Sequence, residues 1–260
     1  MGILNATPDS FFNKGKDSDV DGLLRVAERM MHDGAAILDI GGASTKPGQP
    51  LINADDELER VMPVVMAITK RFPEVWLSID TYNAKVARET VEAGVSIVND
   101  VSSGRFDKEM LQTVAKLRVP YIAMHMQGTP QTMQADPQYN DVVKEVYRYL
   151  QDVCARCEAA GISDVIVDPG FGFGKTVAHN FALLRELHTF KGLGRPILAG
   201  LSRKSMVCKP LKVNPEHALN GTTALNMVAL QQGANILRVH DVKEAREVLV
   251  LSGLLETPNP

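Results

Sequence analysis

The chain has 260 residues and carries 28 Lys and Arg against 31 Asp and Glu, a formal charge of −3. It therefore lacks the basic excess that a nucleic-acid or anionic-membrane partner would call for, and a small-molecule substrate is expected. No run approaches the roughly 18 uninterrupted apolar residues of a membrane span, the N-terminus lacks the layout of a signal peptide, and the odd cysteine set Cys154, Cys157 and Cys208 argues against a disulfide framework, so a cytoplasmic location is expected.

Short Val-, Ile- and Leu-rich runs alternate with longer amphipathic stretches, the pattern of parallel βα units. In chain order, strand Gly2–Asn5 precedes a helix from near Val20, Ala36–Gly41 one from Asp55, and Val75–Asp80 one from Asn83. Strand Ser96–Asn99 precedes a helix from Lys108, Tyr121–His125 one from Asn140, and Val165–Asp168 one from Val177. Strand Pro196–Gly200 is followed by a helix from Pro215, and Asn235–His240 by one from Val242. Several strands lack polar alternation, as strands buried on both faces should. Eight units in 260 residues leave about 32 each, which predicts an α/β fold of the (β/α)8 TIM-barrel kind, one domain over residues 1–260. A doubly wound open sheet alternates in the same way and is the competing architecture. The chain starts almost on its first strand, which hints at a missing leader or an uncapped barrel floor.

The predicted strands end in chemistry-bearing side chains. These are Asn5, Asp39, Asp80, Asn99-Asp100, His125, Asp168, Ser202-Arg203-Lys204 and Arg238-Val239-His240-Asp241. In a (β/α)8 barrel all these ends face one mouth, where catalysis sits. Asp80, Asn99 and Asp168 suit a flat heterocycle with a guanidine-like edge, because a carboxylate accepts two parallel N–H bonds and an amide matches a neighbouring donor and acceptor. Arg238 and His240, two apart on a strand, share a face and suit one phosphate group, with Asn5 opposite for a metal or phosphate.

The segment Asp168-Pro169-Gly170-Phe171-Gly172-Phe173-Gly174-Lys175-Thr176 resembles a phosphate-binding P-loop only at its end, because Pro169 stands where that motif needs glycine. A glycine-rich loop here lets the backbone pass close to a bound ring, with Phe173 offering a stacking face. As successive βα loops, Ala6 to Gly15 and Gly41 to Gly48 would sit side by side over the mouth and read as a two-part lid. Cys154 and Cys157 form a C-x-x-C inside a helical pattern with no second pair, a structural setting rather than a metal site.

The motifs MGILNATPDSFF, DIGGASTKPG, SIDTY, ND, MHMQGTP, DPGFGFGK, LSRKS and LRVHDV, in this order and spacing across the whole chain, closely resemble the dihydropteroate synthase family. The resemblance implies a transferase of folate biosynthesis. It would condense 6-hydroxymethyl-7,8-dihydropterin diphosphate with 4-aminobenzoate, giving 7,8-dihydropteroate and diphosphate with Mg2+ assisting, usually as a homodimer. It assigns Asp80, Asn99, Asp168 and Lys204 to the pterin, Met124 to the pterin slot, and Asn5 to metal and diphosphate. Arg238 and His240 would hold the diphosphate, while Thr45, Pro47, Phe173 and Ser205 would frame 4-aminobenzoate in the pocket where sulfonamides compete. The catalytic set so implied is Asp80, Asp168, Lys204, Arg238 and His240.

The second loop departs from the family at Ala43 and at Lys46, where a larger residue and arginine are usual. Asn13 and Lys14 stand in the first loop where an aspartate and glycines are usual. Altered turnover and sulfonamide sensitivity are expected consequences, since lysine lacks the planar fork of arginine. Two other readings stay open: a methyltetrahydrofolate-corrinoid methyltransferase, which shares the ring contacts but needs no diphosphate grip, and a catalytically silent pterin-binding paralogue.

Overall fold

The computed structural model describes residues 1–6, 16–43 and 48–256. Its strands are β1 Gly2–Asn5, β2 Ile37–Gly41, β3 Trp76–Asp80, β4 Ile97–Asp100, β5 Tyr121–Met124, β6 Val165–Asp168, β7 Leu198–Ala199 and β8 Ile236–Leu237. The helices are α1 Lys16–His32, α2 Ala54–Arg71, α3 Ala84–Glu92, α4 Met110–Leu117, α5 Val142–Ala160, α6 Val177–Arg185, α7 Ser205–Leu211, α8 Leu219–Gln231 and α9 Val242–Glu256.

Strands β1 to β6 pair in parallel in chain order, and β7 pairs with β8. Two single bridges, Val167 to Ile197 and Gly2 to Val239, join these sheets at both edges. At those seams Val167 N donates to Pro196 O at 2.9 Å and Ile3 N to Val239 O at 2.9 Å. The ring therefore closes into a (β/α)8 barrel, and the open doubly wound sheet is excluded. The last two strands are shorter than expected because each outer seam holds only one bridge, so regular pairing stops at Ala199 and Leu237.

One helix beyond the expected set, α7, follows β7, and a 3-10 turn at Pro215–His217 separates it from α8, which starts at Leu219 rather than Pro215. With seven residues and Pro210 inside, α7 offers too little apolar periodicity to be read from sequence. Two of the longer helices carry ordinary side-chain caps: Asn53 Oδ1 accepts from Asp56 N before α2, and Asp141 accepts from Lys144 N before α5.

The strands' period of two sorts their residues into an inside and an outside. Leu38, Ile40, Leu77, Ile79, Val98, Ala123, Val167, Ala199, Leu237 and Val239 join the main core beneath the helices. Ile37, Ile97, Ile122, Ile166, Leu198 and Ile236, with Met1, form a separate apolar cluster that plugs the barrel interior. Two residues further along the same six strands stand Asp39, Asn99, Met124, Asp168, Gly200 and Arg238. The inward row thus changes from apolar to largely polar one step below the mouth.

Candidate active site

At the mouth, Arg238 is gripped by two carboxylates from neighbouring strands. Its Nε donates to Asp39 Oδ2 and its Nη2 to Asp80 Oδ2, both at 2.6 Å. Asn99 Nδ2 donates to the same Asp39 oxygen at 3.1 Å. Burial opposes the Arg238 charge, but the carboxylates outweigh it and hold the guanidinium above its ordinary value. Burial also pushes Asp80 above the usual carboxylate range, against the pull of Arg238 and with the repulsion of Asp39. A donor-rich ligand edge arriving here meets a carboxylate already engaged by a cation.

Across the mouth, Asp168 is buried at the end of β6, and its Oδ1 accepts from Gly170 N at 2.7 Å. Burial raises its carboxyl, with Lys204 opposing. The glycines that follow let the chain turn back sharply: Gly170 and Gly172 have φ of 71° and 85°. Lys204 Nζ donates to Phe171 O at 2.6 Å and stands 4.7 Å from the centre of the Phe173 ring, a cation–π distance. Burial lowers Lys204 to about 8, Asp168 opposing, so its amine lies close to the point of titration at neutral pH.

Lys204 caps α7 from the left-handed corner at Arg203, whose φ is 57°. Arg203 locks that corner by donating twice to Asp241, at 3.0 Å and 2.5 Å, which ties the loop after β7 to the loop after β8. In the same joint Ser202 Oγ accepts from His240 N at 3.2 Å and lies 2.9 Å from His240 Nδ1. The serine proton goes to Nδ1, which leaves the Nε2 proton of a neutral imidazole as a donor.

The structure brings together Asp80, Asn99, Asp168, Lys204, Arg238 and His240 at one end of the barrel. Asn5 is exposed at the end of β1, in register with Gly41 and, through it, with Asp80. Met124 is buried with Tyr82, Val101, Met126 and Met133, and Phe173 packs against this cluster. Ser205 is exposed at the start of α7. Thr45, Pro47 and Lys46 lie outside the described residues, as do Asn13 and Lys14 of the first loop.

From sequence Asp39 was placed at the mouth without a role, and Lys175 and Glu57 were not singled out as site groups. Asp39, wholly buried, joins Asn99 to Arg238. Lys175 is buried behind the glycine loop and donates to Gly170 O and Phe173 O. Glu57 is buried under Gly42, a position where a Cβ would meet the Val61 side chain at 2.6 Å. For Asp39 a signal existed: it lies two residues after the inward Ile37, on the same face as the strand end.

The sequence pattern of the pterin binding enzyme family matches residues 1–240. The chain is 46% identical over 251 residues to the dihydropteroate synthase of Escherichia coli strain K12, covering 96% of this chain and 88% of that enzyme. The crystal structure of Yersinia pestis dihydropteroate synthase with a sulfonamide drug superposes with a TM-score of 0.93 at 44% identity, covering 99% of this chain and 94% of that one. The Xanthomonas albilineans dihydropteroate synthase in complex with 7,8-dihydropteroate gives 0.89 at 38% identity, covering 99% and 94%. The family pattern over residues 1–240 and identity at this level along nearly the whole chain make it a member of the pterin-binding enzyme family, among the dihydropteroate synthases.

Proposed function

We infer that the protein is a dihydropteroate synthase acting as one barrel domain, condensing 6-hydroxymethyl-7,8-dihydropterin diphosphate with 4-aminobenzoate to give 7,8-dihydropteroate and diphosphate. The observation that carries this reading is the adjacency of Asp80, Asn99 and Asp168 to Lys204, Arg238 and His240 within one mouth. A methyl transfer to a corrinoid would leave that cationic row without a purpose.

In the reaction the methylene–oxygen bond breaks, its electron pair leaves with the diphosphate, and the aminobenzoate nitrogen forms the new bond and loses a proton. Arg238 and the Nε2 proton of His240 would face the departing oxygens as they gain charge, and stabilisation of such charge is usually the largest catalytic contribution. Asp80 and Asp168 on the ring's N–H edge favour the positive charge that spreads into the pterin as the bond breaks. Lys204 binds between these halves, and Phe173 with Ser205 borders the path of the amine. Thr45 and Pro47 complete that border in our reading. Ser202 Oγ meets the backbone N and the Nδ1 of His240, and we read it as holding that imidazole in place, with the displacement direct.

Mg2+ fits this site as a substrate-borne ion. Among the described residues no three His, Cys, Asp or Glu side chains gather to hold a metal. Mg2+ commonly keeps its waters and takes one or two protein oxygens plus substrate phosphates, and the exposed Asn5 amide supplies such an oxygen. When bound, the ion would neutralise diphosphate charge. A homodimer through the exposed Leu251, Leu254 and Leu255 of α9 is the assembly we favour. No helix among the described residues is long and apolar enough to cross a membrane, and we place the enzyme in the cytoplasm with its small-molecule substrates.

The test supplies the pterin diphosphate, 4-aminobenzoate and Mg2+ and follows diphosphate release, with His240→Ala as control. Release dependent on both substrates is expected. Tight pterin binding without release would mean a silent paralogue.

A further inference from the structure

Asp39 is the one carboxylate among the described residues that touches both halves of the mouth. Its Oδ2 accepts from Arg238 Nε at 2.6 Å and from Asn99 Nδ2 at 3.1 Å. Its side chain is wholly inaccessible, whereas Asp80, the second partner of Arg238, is 11% exposed. A ligand entering the mouth can therefore compete for Asp80 but not for Asp39. If the N–H edge of a pterin takes Asp80, as the functional reading above requires, Arg238 Nη2 must give up its acceptor. Released without another anchor, a long guanidinium side chain would either block that carboxylate or lose its aim.

We propose that Asp39 is a positioning residue: it fixes the Nε side of Arg238 so that the Nη face can pass from Asp80 to the diphosphate when the pterin ring binds. Asp39 thereby makes ring reading and diphosphate grip one event. The shared oxygen carries the coupling, because Asn99, which faces the ring, and Arg238, which faces the diphosphate, lean on the same atom. Orientation of this kind comes from a buried, pre-formed ion pair, since a guanidinium anchored at Nε has only its Nη face to reorient when the diphosphate arrives.

The measurement is the gain in affinity that the diphosphate confers: the ratio of Kd for 6-hydroxymethylpterin to Kd for its diphosphate, by calorimetry with Mg2+, in wild type and Asp39→Asn. The proposal expects that ratio to fall at least tenfold in Asp39→Asn, while KM for 4-aminobenzoate stays within about threefold. Equal weakening of both pterins with the ratio intact would assign Asp39 a merely structural role and overturn the proposal. Should Asp39→Asn fail to fold with the guanidinium left on Asp80 alone, Arg238→Gln is compared with the double variant Asp39→Asn/Arg238→Gln, in which both charges are gone. Equal ratios in these two support action through Arg238, and a further fall in the double variant overturns it. The functional reading fails differently, since a wild-type protein with no diphosphate gain and no diphosphate release would sink it whatever Asp39 does.

Discussion

Lys175 Nζ lies 2.8 Å from His125 Nδ1, with both residues buried in the wall behind the mouth. The amine also donates to Gly170 O at 2.9 Å and Phe173 O at 3.0 Å, so it closes the glycine-rich loop onto the end of β5. Burial pulls Lys175 well below its ordinary value, and burial together with Lys175 lowers His125 to about 2. The imidazole is thus neutral at physiological pH, accepting at Nδ1 and carrying its proton on Nε2.

Lys175→Met removes the donor that His125 Nδ1, Gly170 O and Phe173 O share, and each unmet buried group costs about 1–3 kcal/mol. The variant should lose about 3 kcal/mol or more of stability in a urea melt. Because the freed carbonyl belongs to Phe173, KM for 4-aminobenzoate should rise several-fold, more than KM for the pterin diphosphate. An unchanged melt would show that the amine does not hold the loop.

Glu57 gives a pH-dependent stability. It is wholly buried, Asn83 Nδ2 donates to Oε2 at 2.6 Å, and Oε1 has no hydrogen-bond partner among the described residues. Burial raises its carboxyl from 4.5 to about 7, Asn83 opposing. Between those values the folded protein holds a proton that the unfolded chain releases. Stability therefore falls as pH rises through this window, by on the order of 3 kcal/mol once it is passed. Glu57→Gln should leave stability nearly unchanged at pH 4 and raise it at pH 8. Denaturant midpoints at the two pH values check this, and a variant less stable at pH 8 contradicts it.

The barrel and most of its mouth were legible because a parallel sheet buried on both faces leaves continuous apolar runs, and polar residues at their ends stand out. Asp39 was legible as a mouth residue but its partners were not, since an acidic residue within Ile37-Leu38-Asp39-Ile40 gives no local hint of them. Arg238 lies 199 positions away. Lys175 was hidden by a different feature: beside Gly174 and Thr176 it imitates a phosphate-binding ending, while the fold turns its amine inward to carbonyl oxygens. Helix α7 escaped because Pro210 and its brevity erase the periodicity on which such a reading depends.

Gly170 shows how closely two strand ends approach. Its φ is 71°, and a Cβ there would lie 1.9 Å from His125 O, a backbone atom. His125 N is itself tied to Asp168 O at 3.0 Å, so the carbonyl cannot retreat without breaking the sheet end. Gly170→Ala should cost more than about 3 kcal/mol and abolish pterin binding, since Asp168 Oδ1 is set by Gly170 N. Gly161, with φ of 91° and nothing within 4 Å of where a methyl would stand, is the control, where alanine should cost only about 1 kcal/mol. Equal melts for the two variants would refute the close-contact argument.

His240 predicts a proton taken up with the substrate. Partial burial of the ring, with Arg203 and Arg238 adding repulsion, holds it below its ordinary value of 6.5, so the free protein keeps it neutral near pH 6.5. Because the folded value is depressed, the unfolded chain binds the extra proton first, and this residue's contribution to stability is lost as pH falls below 6.5. A diphosphate against Nε2 reverses the balance by favouring the imidazolium. Binding of the pterin diphosphate near pH 6.5 should then consume protons, visible as a dependence of the calorimetric enthalpy on the ionisation enthalpy of the buffer. His240→Asn should reduce that uptake and slow diphosphate release by roughly a hundredfold, the usual cost of losing one donor to a developing oxyanion. Identical proton uptake in the wild type and the variant would place the titrating group elsewhere.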